Sequence, residues 1–405
     1  MTGRSKSMAA GLAIIAMLGL SACNATANAG PQPGAKGTAA PSTSSTPTPT
    51  TAPVEWVTTP GEDANHVPVD TRVTAKVQSG TLAQASLSYL SKKGKHVEAE
   101  GWLESGTWTA KDLLEPGVKY TLRMEGHDES GGFVSTTQTF RTANLTLDDQ
   151  IYVKVIPDGQ TVGVGMPVIV IFDLPVVDKA NFEKHMKVTS KPAQAGSWYW
   201  LSDREAHWRP KSYWKPGTKV HVEANLNGVP AGGKRFGEQS RTADFTVGRS
   251  VIAKANLKTH QMDVYVNGDK VRRIPISGGR PGWETRSGVK VIMAKYSQFT
   301  MKAESIGLKP GDKDYYHDVK VNYALQLTNS GEFLHTAPWS VSQQGYANVS
   351  HGCTGISNRA GDWVWDNFRI GDIVETTGSN KPMTMGNGYS DWNLSWKQYE
   401  KGSAL

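Results

Sequence analysis

Ala324-Leu325-Gln326-Leu327-Thr328-Asn329-Ser330-Gly331-Glu332-Phe333-Leu334-His335 sets two alternating runs on either side of a polar turn, Asn329-Ser330-Gly331. That pattern predicts a β-hairpin, and alternation puts Phe333 and His335 on one face and Leu334 on the other. Neighbouring segments repeat the theme. Ser250-Val251-Ile252-Ala253 opens a strand, and Met262 to Val271 is a strand, an Asn267-Gly268 turn and a second strand. Val289 to Met293 is a further strand, Ser357 is placed to cap a short helix running to about Phe368, and Gly371 to Glu375 returns as a strand. Residues 249–376 therefore predict one mainly β domain. The tail, 377–405, carries Trp392, Trp396 and Tyr399 at helical spacing, an apolar stripe suited to docking on the rest of the protein.

Upstream of residue 249 the chain repeats itself weakly. Trp108 precedes Pro116-Gly117 by eight residues, and Trp208 precedes Pro216-Gly217 by eight; each Pro-Gly leads into an alternating strand. Two antiparallel sandwich domains follow from this, over 54–145 and 146–248. Trp102, Trp108, Trp198, Trp200, Trp208 and Trp214 are expected in core or inter-sheet packing, a sugar-binding platform being the alternative. The length of 405 residues suggests two or three domains of ordinary size.

The N-terminus reads as a leader over 1–22: Arg4 and Lys6, then an apolar run from Met8 to Leu20 that is too short to cross a bilayer. Leu20-Ser21-Ala22-Cys23 resembles the bacterial lipobox, which would make Cys23 a lipidated first residue and anchor the chain outside the cytoplasmic membrane. Residues 23–53 are rich in Ala, Thr, Ser, Pro and Gly and read as an extended tether or a glycosylated stalk. The formal net charge is +7, with no long basic run. Attraction to anionic wall polymers fits that charge; nucleic acid as a partner has no motif behind it.

There are two cysteines, Cys23 and Cys353. With Cys23 lipidated, Cys353 has no partner for an internal disulfide, and a free thiol outside the cytoplasm is a liability unless it reacts. It sits in Ser350-His351-Gly352-Cys353-Thr354-Gly355-Ile356-Ser357. A thiol becomes a nucleophile when an imidazole takes its proton. His351, two residues before it, and His335, eighteen before it, are both candidates for that base. Gly352 lets backbone approach a substrate, so the amides of Gly352 and Cys353 are candidate oxyanion donors. Zinc binding by His335, His351 and Cys353 lacks a fourth protein ligand, and no metal is expected. The other seven histidines, His66, His96, His127, His185, His207, His221 and His260, are expected on solvated faces.

His335, fourteen intervening residues and then Ser350-His351-Gly352-Cys353 resemble the catalytic segment of the bacterial L,D-transpeptidases with a YkuD-type domain, over about 250–376. Ile276-Ser277-Gly278-Gly279 and Thr285-Arg286-Ser287-Gly288 are similar to that family's substrate-side strand and loop. The layout resembles its mycobacterial-type lipoproteins: lipobox, tether, two immunoglobulin-like domains, catalytic domain and Trp-rich C-terminal segment. The resemblance implies Cys353 as nucleophile, His335 as proton shuttle, the Thr336 carbonyl orienting His335, and His351 shaping the pocket. It implies peptidoglycan stem peptides as partners: a donor tetrapeptide that loses D-Ala and an acceptor diaminopimelate amine, joined in a 3→3 cross-link without a cofactor. Carbapenem β-lactams would be covalent inhibitors. Ser330 and Gly331 match a segment contacting the donor stem, and the lid, about 296–322, offers His317 by ungapped count and Tyr316 or Tyr315 with a shift. One departure is Gly355, where the family carries Asn or Arg. Competing readings are another cysteine acyltransferase or peptidase, or a wall-binding lipoprotein whose catalytic domain has decayed.

Overall fold

A computed structural model describes residues 54–91 and 93–405. The expected leader, the lipidated Cys23 and the tether to residue 53 lie outside the described residues.

Strands from Trp56 to Arg141 form two four-stranded sheets over one apolar core that includes Val73, Leu87, Trp108, Tyr120, Leu122 and Phe140. Strands from Gln150 to Val247 form a second pair of four-stranded sheets and a small three-stranded one around a core with Val170, Phe172, Trp208, Trp214 and Phe245. The tryptophan repeat has a steric cause in both. Trp108 packs over Gly101 on the adjacent strand, where a methyl group would fall 2.3 Å from its Cζ2. Trp208 packs over Gly196 in the same way, also at 2.3 Å. A large indole needs a neighbour without a side chain, and each domain supplies it. Pro-Gly is likewise shared: Gly117 and Gly217 hold φ of +70° and +80°, the left-handed conformation that glycine adopts without penalty. Trp102 departs from expectation. It lies on the edge strand Gly101–Glu104 and is 46% exposed, because alternation turns it away from the core that Trp108 fills.

The next sheet runs, edge to edge, Asp269–Pro275, Gln261–Val266, Val251–Asn256, Ile373–Thr377 and Gly288–Val291. Asn267 and Gly268 both hold positive φ and join two of these strands in the tight turn their sequence predicts. A second sheet runs Ala294–Met301, Val319–Gln326, Phe333–Thr336 and Thr354–Ile356. Between them lie Met262, Ile276, Leu325, Leu334, Ile356, Val364 and Phe368. Helix Asn358–Asn367 closes this core, and Ser357 caps it by accepting the Ala360 N–H.

The tail does not form one helix. Trp392 sits in the short turn Asp391–Asn393 and Trp396 and Tyr399 in the helix Trp396–Glu400. All three rings nevertheless gather round buried Arg209 of the second sandwich, whose guanidinium lies 4.5, 5.4 and 4.2 Å from their centroids. His207 is the second departure: expected in solvent, it is 1% exposed. Its Nδ1 lies 2.9 Å from Oδ1 of buried Asp391 and its Nε2 2.8 Å from Glu205 Oε1. Burial works against a charged ring, but Asp391 and Glu205 overcome it and raise the His207 pKa to about 9.

That pair makes the docking of the tail pH-dependent. The folded pKa lies above the ordinary value near 6.5, so the stabilisation is complete below 6.5 and is lost as pH rises through about 9. Asp391→Ala should cost about 3–5 kcal/mol at pH 6, and thermal melts should show the gap to wild type closing above pH 9. A gap that stays constant from pH 6 to pH 10 would rule this out.

Candidate active site

Strand Phe333–Thr336 pairs antiparallel with Val319–Gln326, with Leu325 opposite Leu334. On its other side it pairs in parallel with Thr354–Ile356, His335 opposite Gly355. A parallel pair needs a crossover of a dozen or more residues, and residues 337–353 supply it. The crossover is laced to the strand end beside it: Gly345 N–H donates to the Ile276 carbonyl at 3.0 Å, Gly278 N–H to Asn348 Oδ1 at 2.8 Å and Arg280 N–H to the Ser350 carbonyl at 2.9 Å. It delivers Cys353 to the face that His335 occupies. Both line one cavity of about 390 Å³, together with Tyr316, His351 and Gly355.

Buried His335 points its Nδ1 at the Thr336 carbonyl, 2.8 Å away. A proton held on Nδ1 leaves Nε2 as the basic nitrogen. Burial lowers the His335 pKa, and the Thr336 bond only partly offsets this, so the ring is neutral at pH 7. Cys353 is half-buried; its Sγ lies 3.5 Å from the Gly331 carbonyl. Burial pushes the thiol up to about 12, with Glu332 adding to the rise and the Phe333 N–H and Lys290 opposing it. The resting pair is thus thiol and neutral imidazole.

The Ser350–Cys353 loop is held from inside. Ser350 Oγ donates to the Cys353 carbonyl at 2.6 Å and accepts the Gly352 N–H at 3.1 Å, while Thr285 Oγ1 donates to the Gly352 carbonyl at 2.8 Å. Gly352 holds φ +123°, which L side chains rarely adopt. Its N–H is therefore engaged by Ser350 and is not the open oxyanion donor expected from sequence. His351 packs against Trp283 and Tyr316, with ring centroids 5.1 and 5.0 Å away, and its Nε2 lies 3.1 Å from the Asp314 carbonyl and 2.9 Å from Arg280 Nη2. Burial and Arg280 lower its pKa.

The remaining sequence candidates separate. Tyr316 faces the cavity, its phenol raised to about 12 chiefly by burial. His317 is exposed, stacks edge-on against Tyr315 and does not line the cavity. Gly331 lines the cavity, but Ser330 does not: its N–H and Oγ are taken by Asn387 of the tail. Gly355 is part of the cavity wall, and a methyl there would fall 3.0 Å from Ala337 Cβ, so a larger side chain requires Ala337 to shift. Sequence reasoning missed Asp314. Its carboxylate takes Arg280 Nη2 at 2.6 Å and Trp283 Nε1 at 3.1 Å, latching the lid to the segment beside the Ser350–Cys353 loop. No local pattern marks it, since its partners lie more than thirty residues away.

Residues 64–230 match a bacterial Ig domain and residues 250–376 an L,D-transpeptidase catalytic domain. The chain is similar to L,D-transpeptidase 2 of Mycobacterium tuberculosis (strain CDC 1551 / Oshkosh), 36% identical over 84% of this chain and 82% of the relative. It is also similar to L,D-transpeptidase 5 of M. tuberculosis (strain ATCC 25618 / H37Rv), 31% identical over 85% and 76%. A solved structure of L,D-transpeptidase 3 from M. tuberculosis with a faropenem-derived adduct is 30% identical, covering 55% of this chain and 97% of that one, with a TM-score of 0.46.

Asp314→Ala removes the latch without touching His335 or Cys353. Hydrogen exchange over residues 303–318 should accelerate while the global melting temperature barely moves, because the carboxylate is partly exposed. Unchanged exchange in that segment would mean other contacts hold the lid.

Proposed function

The chain belongs to the L,D-transpeptidases, and on that footing we propose that it forms 3→3 peptidoglycan cross-links through an acyl-enzyme on Cys353. The observation that carries this reading is the convergence of His335, tautomer set by Thr336, and Cys353 on one cavity.

The donor is a tetrapeptide stem ending in diaminopimelate and D-Ala. Cys353 Sγ attacks the carbonyl between them as its proton passes to His335 Nε2. The carbon–nitrogen bond breaks, His335 returns the proton to the departing amine, and D-Ala leaves. The side-chain amine of diaminopimelate on a second stem then attacks the thioester, gives its proton to His335, and the thiol is restored. Because thiol and imidazole rest neutral, proton transfer accompanies attack, as general-base catalysis requires. With the Gly352 amide engaged, the Cys353 N–H is the donor assigned to the oxyanion. Tyr316 covers the bound stem from the lid. A carbapenem would meet the same thiol, its strained carbonyl replacing that of the stem. The wall-facing position follows from Cys23: lipidated, it holds the chain at the outer face of the cytoplasmic membrane.

Incubation with a tetrapeptide-stem disaccharide should release D-Ala and leave a covalent adduct on Cys353 by mass spectrometry; Cys353→Ala should do neither, and turnover by that variant would sink the assignment. His335→Gln should lower the acylation rate about 10²–10⁴-fold. Since burial lowers the His335 pKa, wild-type activity should fall on acidification only below pH 6.5, as the base becomes protonated. Labelling with a palmitate analogue should mark the wild type and spare Cys23→Ala; equal labelling of both places the anchor elsewhere.

A further inference from the structure

Strand Phe333–Thr336 loses one neighbour at the point where it presents the histidine. Its ladder with Val319–Gln326 pairs Gln326 with Phe333 and Leu325 with Leu334, and stops there. Carried two steps further, the same register would set Tyr323 opposite Thr336. Tyr323 holds φ +51°, the left-handed region that a bulky side chain disfavours. On its far side Val319–Gln326 keeps its pairing across this residue, with Asn322 opposite Gln298 and Ala324 opposite Tyr296. The break therefore falls on the histidine side.

A side-chain bond takes over from the ladder. Thr336 Oγ1 donates to the Asn322 carbonyl at 3.0 Å, the carbonyl that immediately precedes the left-handed tyrosine. The Thr336 carbonyl, which the ladder with Val319–Gln326 no longer reaches, is left to His335 Nδ1, 2.8 Å away. Both ends of this linkage are packed under helix Asn358–Asn367. The Tyr323 ring lies 5.3 Å from that of Trp365, tilted by 31°. Thr336 is 2% exposed, and its Cγ2 lies against Gly361, where an added methyl would fall 2.1 Å away. Alanine normally outranks glycine inside a helix; here the glycine lets the helix close over Thr336. With Oγ1 bonded on one side and Cγ2 confined on the other, the Thr336 side chain is held in one rotamer.

We infer that Tyr323, the Thr336 hydroxyl and Gly361 form a positioning unit that aims the Thr336 carbonyl at His335 Nδ1 and so keeps Nε2 free to take a proton. This rests on His335 being the base. The carbonyl contact itself belongs to the proposed reaction; the groups behind it decide where that carbonyl points. Tyr323, Thr336 and Gly361 are not among the residues lining the cavity, so they act through His335 and not on the stem.

NMR of the ring nitrogens, on the full chain isotopically labelled at histidine, tests this, because the two nitrogens differ in shift according to which carries the proton. The His335 signals are assigned by their loss in His335→Gln. No peptidoglycan is involved, so absence of cross-linking activity leaves the tautomer readable. In the wild type Nδ1 should be protonated and Nε2 bare; protonation at Nε2 instead would overturn the reading of the base itself. Thr336→Val keeps the shape, removes the hydroxyl and should give a mixture of tautomers, whereas Thr336→Ser keeps the hydroxyl and should retain the wild-type signals. Gly361→Ala drives a methyl into Thr336 Cγ2 and should also give the mixture. Adding Thr336→Ser to Gly361→Ala removes the obstructing methyl and should restore a single tautomer. With substrate, kcat should fall about ten- to hundredfold in Thr336→Val and in Gly361→Ala, with KM little changed. A merely structural role would lower the melting temperature and leave the tautomer as it is. Either variant decides alone if the other does not fold. A folded Thr336→Val or Gly361→Ala chain with wild-type signals, or a double variant that stays mixed, overturns the proposal.

Discussion

Leu334 faces Thr354, His335 faces Gly355 and Thr336 faces Ile356 across two short parallel strands, and the rest of the site depends on that pairing. Parallel strands cannot be joined by a tight turn. The chain must therefore leave the sheet after Thr336, cross over and re-enter at Thr354. The crossover ends on Cys353, one step before the new strand begins, so the thiol is delivered beside the histidine. Leu334 makes the register costly to change. It is buried between the two sheets, and a slip of one residue would exchange it with His335, exposing the leucine and pushing the imidazole into the apolar layer.

Two buried ionic clusters are positioned by this framework, with different consequences. His207 and Asp391 join the second sandwich to the C-terminal segment, and Asn393 of that segment accepts from the Val289 N–H and donates to the Val289 carbonyl. The tail thus connects the sandwich to the edge strand that carries Lys290. Lys290 and Glu332 form the other cluster, one residue from the strand that bears the base. Each involves charges that apolar groups could replace. One sits at a seam between domains and the other beside the loop that carries Cys353.

Gly355 shows how the pairing limits side chains at the cavity. Its N–H and carbonyl are both bonded to Ser277, and on the other side it lies opposite His335 in the parallel register. A side chain can only project toward Ala337, at 3.0 Å. A glycine at this position is part of how closely this chain packs Ala337 against the strand. The identical reading applies to Gly101 and Gly196 beneath their tryptophans.

The sequence by itself determined whatever local periodicity and covalent neighbourhood control. Alternation assigned Leu334 to the core and His335 to the opposite face; Asn267-Gly268 specified a tight turn; Ser357 specified a helix start; the segment around Cys353 marked it as the candidate nucleophile. Tertiary structure decided what depends on residues far apart in the chain. Asp314 reaches Arg280 and Trp283, His207 reaches Asp391 184 residues away, and Lys290 reaches Glu332. Trp102 and Trp108 share a residue type and differ in fate because Trp102 lies on the outer face of an edge strand and Trp108 on the core face of the strand beside it. His317 and Tyr316 are neighbours in sequence, yet only Tyr316 lines the cavity. The physical distinction is one of range: propensity and alternation act over a few residues, whereas burial and charge pairing depend on which surfaces the folded chain brings into contact.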